Sequence, residues 1–258
     1  MITSSSNLQL KNIVQLNKKA KARREQGVFV VEGWKMYTEV PADQLQKIYI
    51  SEQFLEKHPE VLKEHPDCEV VADKVFSSIS DTQTPQGILC IVKQKERKLE
   101  DVLKKEKPFL VLLEDLQDPG NVGTILRTAE GAGVDGVIMT KNCVDIYNPK
   151  TIRSTMGSVY RVPFFVTEDL DETLKLLKEH EITTYAAHLR GKRDYDREDY
   201  CGGTAILIGN EGNGLSDHLS EQADRLVKIP MCGQLESLNA AMAAGIFMYE
   251  AARQRRNK

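Results

Sequence analysis

IPMCGQLESLNAAMAAGIFMYE, residues 229–250, sets a polar loop directly before a helix made largely of Ala, Gly and Met. Ile229-Pro230-Met231 reads as the end of a strand, and Ser237 fits the N-cap of the helix that follows. Ala240, Ala241, Ala243, Ala244 and Gly245, with Met242, Ile246, Phe247 and Met248, leave that helix apolar nearly all round. A helix of this kind is buried on every side, and its small residues let other backbones approach closely.

From Pro108 the chain alternates strand and helix signals. FLVLLEDL is a continuous apolar run, the pattern of a strand buried on both faces of a parallel sheet. GVIMT, VPFFV, TTYAAHL, TAILIGNEG and LVKIPM follow as strands, with helices expected from Asn121, near TIRSTMGS and over DETLKLLKEH. This spacing predicts an α/β fold with a mostly parallel sheet covered by helices. In such sheets ligands bind beyond the carboxyl ends of the strands.

The first hundred residues read as a smaller α/β unit. LQLKNIVQLNKKAKARREQ predicts a helix with a basic end. GVFVVEG, QKIYIS, CEVVAD and GILCIVK predict strands, and FLEKHPEVLKEH and DKVFSSIS helices. The charged stretch KQKERKLEDVLKKEK (93–107) marks the boundary. The expected domains are 1–95 and 108–258, joined by a linker over 96–107.

Composition narrows the class. The chain has 258 residues, 41% hydrophobic and 28% charged, enough for two modest cores. It holds no apolar run of about 18 residues, so no membrane span is expected. MITSSSNLQLKNIV lacks the apolar core of a signal peptide. Five scattered cysteines without a C-x-x-C read as free thiols in a reducing cytoplasm, and no Cys/His cluster points to a metal. The net charge of −3 hides basic ends: residues 1–26 carry a net +5 and residues 251–258 a net +4, on a body of −12. That distribution suits a polyanion touched at defined places, or merely solvated termini.

Three segments stand just after strands. In EDLQDPGNVGTILRTAEGAGV, Asn121 takes the N-cap position, and Val122, Ile125, Leu126 and Ala129 form a buried helical face. Arg127 lies off that face, either solvated or turned to a ligand. In AILIGNEGNGLS, three glycines between Gly209 and Gly214 allow backbone amides to approach a ligand, with Glu211 among them. Neither segment carries the G-x-G-x-x-G of a dinucleotide site or a Walker phosphate loop. That absence argues against an oxidoreductase or a Rossmann-type methyltransferase. The third segment is the opening stretch.

Together, NVGTILRTA (121–129), ILIGNEGNGLS (206–216) and IPMCGQLESLNAAMAAGIFMYE (229–250) resemble the three motifs of the SpoU/TrmH family. Its members are S-adenosylmethionine-dependent RNA ribose 2′-O-methyltransferases of the SPOUT superfamily. The resemblance covers residues 108–258, while residues 1–95 resemble more loosely the small RNA-binding domain that many members carry. It implies a catalytic domain tied in a trefoil knot, S-adenosylmethionine held bent within the knot, and a homodimer. Carried over by motif position, Gly209, Ile229, Met231 and Leu238 would hold the cofactor. Asn121, Arg127, Glu211, Ser237 and Asn239 would line the reaction centre, with Arg127 steadying the emerging alkoxide.

The resemblance also turns the basic start of the chain into an expected RNA contact, made by Lys18, Lys19, Lys21, Arg23 and Arg24. The two-domain layout resembles members that act on large-subunit (23S) ribosomal RNA more than single-domain tRNA enzymes. A tRNA target and a non-catalytic RNA-binding protein of the same fold are the alternatives.

Overall fold

The computed structural model describes residues 1–256, so Lys258 of the basic terminus lies outside the described residues. Internal contacts divide the protein into two units, Met1–Glu96 with Asp145–Tyr160, and Arg97–Val144 with the chain from Arg161 onward.

The first unit opens with α1 (Leu8–Lys18) and α2 (Ala20–Gln26), where the sequence reads as one helix. The break is at Lys19, whose backbone is extended. Leu10, Ile13 and Leu16 bury the inner face of α1. The chain continues through β1 (Val28–Glu32), α3 (Trp34–Thr38), β2 (Leu45–Ser51), α4 (Glu52–Lys57) and α5 (Glu60–Glu64). It then forms β3 (Glu69–Val71), α6 (Asp73–Ile79) and β4 (Ile88–Lys93). FLEKHPEVLKEH is two helices, not one. Pro59 has no N–H to donate and pushes His58 out of the helical region, to φ −131° and ψ 58°. The sheet order is β1-β4-β2-β3, with β4 antiparallel to β1 and β2, and β3 parallel to β2.

The second unit begins with α7 (Leu99–Leu103), inside the stretch expected to be a linker. Val102 and Leu103 are buried in this unit's core, which fixes the segment as part of it. Then come β5 (Phe109–Leu113), α8 (Pro119–Ala132) and β6 (Gly136–Thr140). The chain now leaves for the first unit, where α9 (Pro149–Thr155) packs on β1, and it returns after Tyr160. This corrects the expected domain over 108–258, because residues 145–160 belong to the first unit. β7 (Phe164–Thr167), α10 (Leu170–Glu179), β8 (Thr183–Ala187), β9 (Arg193–Asp194), β10 (Thr204–Ile208), α11 (Asp217–Gln222), β11 (Arg225–Lys228) and α12 (Ala240–Arg256) complete the unit. All ladders are parallel, in the order β7-β6-β5-β10-β8-β11-β9. β5 and β10 pair at the centre, and every residue of both is buried. Each Leu or Ile enclosed there contributes about 1.5–3 kcal/mol.

Two expectations change. α12 buries Ala240, Ala241, Ala244, Phe247, Met248, Ala251 and Ala252, but Met242 is 62% and Tyr249 48% exposed. Within one chain the helix is therefore covered on one side only. The basic end of α12 is partly engaged internally as well. Arg253 pairs with Glu250, while Arg255 donates to the Tyr200 and Gly202 carbonyls and lies over the Phe109 ring.

Candidate active site

The site lies in the second unit, at the carboxyl ends of the central strands. Past β5, the buried Glu114 accepts hydrogen bonds from the Ser216 N–H (2.7 Å) and Oγ (2.6 Å). That carboxylate ties the far end of the loop after β10 to the strand beside it. The near end is closed by Asn210 and Gly214, which exchange backbone hydrogen bonds of 3.0 and 2.9 Å. Asn210 Oδ1 accepts from the Gly212 and Asn213 N–H groups, and its Nδ2 donates to the Asp115 carbonyl at 2.7 Å. The GNEGNG segment is thus a built turn.

Helix α8 starts earlier than the sequence suggests. Asp118 is its N-cap, accepting from the Asn121 N–H at 2.8 Å, and Pro119 takes the first helical position. Asn121 is therefore inside the first turn, with its side chain free for other work. Its Nδ2 donates to Glu211 Oε1 at 3.0 Å, and its Oδ1 accepts from Asn239 Nδ2 at 3.0 Å. Asn239 Oδ1 in turn accepts from the Ala241 and Met242 N–H groups. Asn239, not Ser237, caps α12. Because helix N–H groups can only donate, they fix which end of the Asn239 amide faces Asn121, and so orient the whole chain of amides.

Glu211 closes this chain. It also accepts from the Gln117 and Asp118 N–H groups at 3.1 and 3.0 Å. Partial burial pushes its pKa up, but the bonds from Asn121, Gln117 and Asp118 outweigh it and hold the carboxyl below its ordinary value. A depressed pKa adds stability above the unfolded value of about 4.3 that is lost as pH falls through the folded one. Glu211→Ala is expected to cost about 1 kcal/mol at pH 7. In urea melts that difference should shrink from about pH 4.3 downward.

The loop after β10, the end of β11 and the segment before α12 enclose a cavity of about 300 Å³. Gly209, Ile229, Met231 and Leu238 all line it, with Glu211 and Ser237. Phe247 and Ala243 of α12 supply apolar wall. His188, just past β8, also lines it and was not singled out from the sequence. Its Nδ1 accepts from the Arg190 N–H at 3.0 Å, and burial, then the Arg190 charge, push its pKa down. The imidazole is therefore neutral at neutral pH and carries its proton on Nε2. Its position at a strand's carboxyl end was the available signal. Asn121 and Asn239 stand beside the cavity, joined to it through Glu211. Arg127 does not line it; it is exposed on α8 and makes no hydrogen bond or ion pair among the described residues.

In the first unit, Lys18, Lys19, Lys21 and Arg24 are exposed. Arg23 is not. It is 3% exposed, donates to Asp145 Oδ2 at 2.6 and 3.0 Å, and reaches the Leu16 carbonyl at 2.5 Å. The helical period turns it inward beside Ala22, so it binds the α9 segment rather than a polyanion. Arg23→Ala is expected to cost about 3 kcal/mol in a denaturation experiment, the lower end for a buried pair because Asp145 is partly exposed, where a surface arginine would cost almost nothing.

The second and third motifs line one cavity, the first is tied to them through Asn121, and residues 108–249 match the SpoU rRNA Methylase family. The chain belongs to the SpoU rRNA methylase family. Residues 7–90 match the MRM3-like substrate binding domain. The 23S rRNA (guanosine(2553)-2′-O)-methyltransferase RlmP of Bacillus subtilis is 32% identical, over 96% of this chain and 97% of its own. The AdoMet-bound rRNA methyltransferase of Sinorhizobium meliloti superposes with a TM-score of 0.85 at 32% identity, over 98% of this chain and 97% of that one. The TrmH/SpoU tRNA modifying enzyme of A. aeolicus, 30% identical with a TM-score of 0.53, covers only 62% of this SpoU chain. No helix among the described residues is long and apolar enough to cross a membrane.

Proposed function

We propose that this protein methylates a ribose 2′-hydroxyl of large-subunit (23S) ribosomal RNA, using S-adenosylmethionine. The observation that carries the reading is the cavity bounded by the second and third motifs, with an ionised carboxylate and a directed amide chain at its side. Its volume is at the lower end of ordinary cofactor sites. Neutral His188 and the apolar wall suit an adenosyl group, and the Glu211 carboxylate suits a sulfonium charge. The cofactor supplies an activated methyl group when bound. Gly209, Ile229, Met231 and Leu238, which line the cavity, would hold it.

The chain's own residues align and stabilise. Glu211, Asn121 and Asn239 lock the three motif segments in one geometry, which is the main contribution a positioning site can make. Ser237 stands at the cavity lining, where a hydroxyl can bond the ribose. Arg127 offers five donors in a planar fork, suited to a phosphate and to the oxygen that gains charge as the bond forms. Arginine keeps its charge in proteins, so stabilisation suits it better than proton removal.

Ribosomal RNA is favoured over tRNA by extent. The relatives named for rRNA span both units, whereas the tRNA modifying enzyme covers 62% of the chain. The first unit would then deliver the RNA, with Lys18, Lys19, Lys21 and Arg24 on its phosphates. The protein works as a homodimer in the cytoplasm, a second copy covering the exposed Met242 and Tyr249 face of α12. After leaving β11 the chain returns as α12 against β10 and α8, which supports the trefoil knot that the resemblance implies. Mapping 2′-O-methylation across ribosomal and transfer RNA, with and without the protein, tests the function. A mark in 23S rRNA is the expected result, and marks confined to tRNA would overturn the substrate. A calorimetric titration that finds no S-adenosylmethionine binding would leave only an RNA-binding protein.

A further inference from the structure

Trp34 is the single tryptophan of the chain and remains 36% exposed in the first unit. It is held firmly all the same. Its ring stacks on His58 with centroids 4.6 Å apart and planes 22° from parallel. His58 stacks in turn on the buried Phe54 at 4.6 Å and 28°, and Tyr37 closes the cluster 5.4 Å from Trp34. The Trp34 backbone N–H donates to Gln86 Oε1 at 2.7 Å, and the His58 Nδ1 meets Glu60 Oε1 at 3.0 Å. About a third of Trp34 stays open while its neighbours fix the ring, so it offers an oriented aromatic surface to an external partner.

We propose that Trp34, backed by His58, is a stacking platform for one unpaired nucleobase of the RNA substrate. This rests on the reading of the protein as an RNA methyltransferase. The ligand's shape follows from the surface. A protein partner needs a surface of roughly 800 Å² a side, whereas Trp34 is the one large hydrophobic of its aromatic cluster that stands exposed. A flat ring with polar edges fits that arrangement. The bond to the Trp34 N–H uses the Gln86 oxygen and leaves its Nε2 donors for a base edge. Lys57, exposed and next to His58 in sequence, places a cation for a flanking phosphate, while Lys35, next to Trp34, is ion-paired with Glu39. The residues lie within the part that matches a substrate-binding domain, outside the basic helix and the catalytic cavity. Because the stack already fixes the rings, little side-chain freedom is lost on binding. Single-stranded RNA is recognised in this way, by bases laid on aromatic faces.

The single tryptophan makes the test direct. The intact protein is titrated with a single-stranded oligoadenylate decamer while Trp emission and filter retention are both followed. The expected result is saturable quenching that tracks retention. Trp34→Ala should weaken retention about tenfold, Trp34→Phe should largely preserve it, and His58→Ala should fall between. S-adenosylmethionine affinity, read by calorimetry, should stay within about twofold in all three. RNA retention without any change in Trp emission overturns the platform, and so does a folded Trp34→Ala protein that retains RNA like the wild type. Should Trp34→Ala fail to fold, the quenching and the Trp34→Phe and His58→Ala affinities still decide. A wild-type protein that neither retains the decamer nor methylates ribosomal RNA overturns the RNA reading together with this one. One that methylates while Trp34→Ala retains RNA unchanged overturns this one alone.

Discussion

Arg127→Ala should reduce single-turnover methylation of 23S rRNA by about two to three orders of magnitude, the usual cost of one donor aimed at developing charge. Cofactor affinity should change little, because Arg127 is not among the residues lining the cavity. Stability should stay within about 0.5 kcal/mol, as for other exposed positions without partners. That separation makes the test sharp: Arg127 is exposed on α8, and no described hydrogen bond or ion pair depends on it. Arg127→Lys should recover only a small part of the rate, since a point charge cannot reproduce the fork. Normal methylation by Arg127→Ala would remove the residue from the reaction centre.

Gly209→Ala should be the most damaging single methyl group in the second unit. A Cβ on Gly209 would run into the backbone of Gly214 and Leu215, well inside contact distance. Backbone cannot swing aside as a side-chain tip can. Gly214 itself holds φ 69° and is bonded twice to Asn210, so the loop has no slack. Relief would break the Asn210 turn and pull Ser216 from Glu114. The expected cost is about 3–5 kcal/mol, in the range reserved for severe backbone and core conflicts. Any protein that still folds should bind S-adenosylmethionine at least about a hundredfold more weakly by calorimetry. Gly212→Ala is the control: the nearest atom to its added Cβ is Asn210 Oδ1 at 3.6 Å, an ordinary contact.

The strands of the second unit and their parallel arrangement were legible in this sequence because the central ones are continuous apolar runs, whereas their order was not. Every residue of FLVLL and TAILI is buried in the sheet centre. β9 escaped notice because two residues carry no period. The caps were harder. In DPGN both Asp118 and Asn121 can cap, and in ESLN both Ser237 and Asn239 can; only the bonds to Asn121, Ala241 and Met242 decide. The decision matters chemically, since it frees Asn121 and Ser237 for the site. Arg23 misled because a run of basic residues looks uniformly solvated, while the helical period buries one of them. Its partner, Asp145, is 122 residues away, and no local pattern announces such a contact.

The excursion of residues 145–160 has a consequence for the order in which the chain can fold. The first unit is not finished when its fourth strand, Ile88–Lys93, has been made. Arg23 waits, buried or exposed, for a carboxylate that is synthesised only after β5, α8 and β6 of the other unit. An excised piece ending near residue 96 would carry that arginine without its counterion, a costly state for a buried charge. The natural cut suggested by the charged stretch therefore does not yield an independent module. Completion of the first unit therefore waits for residues 145–160, and a nick at 96–97 would leave the two units still joined by the chain at 144–145 and 160–161.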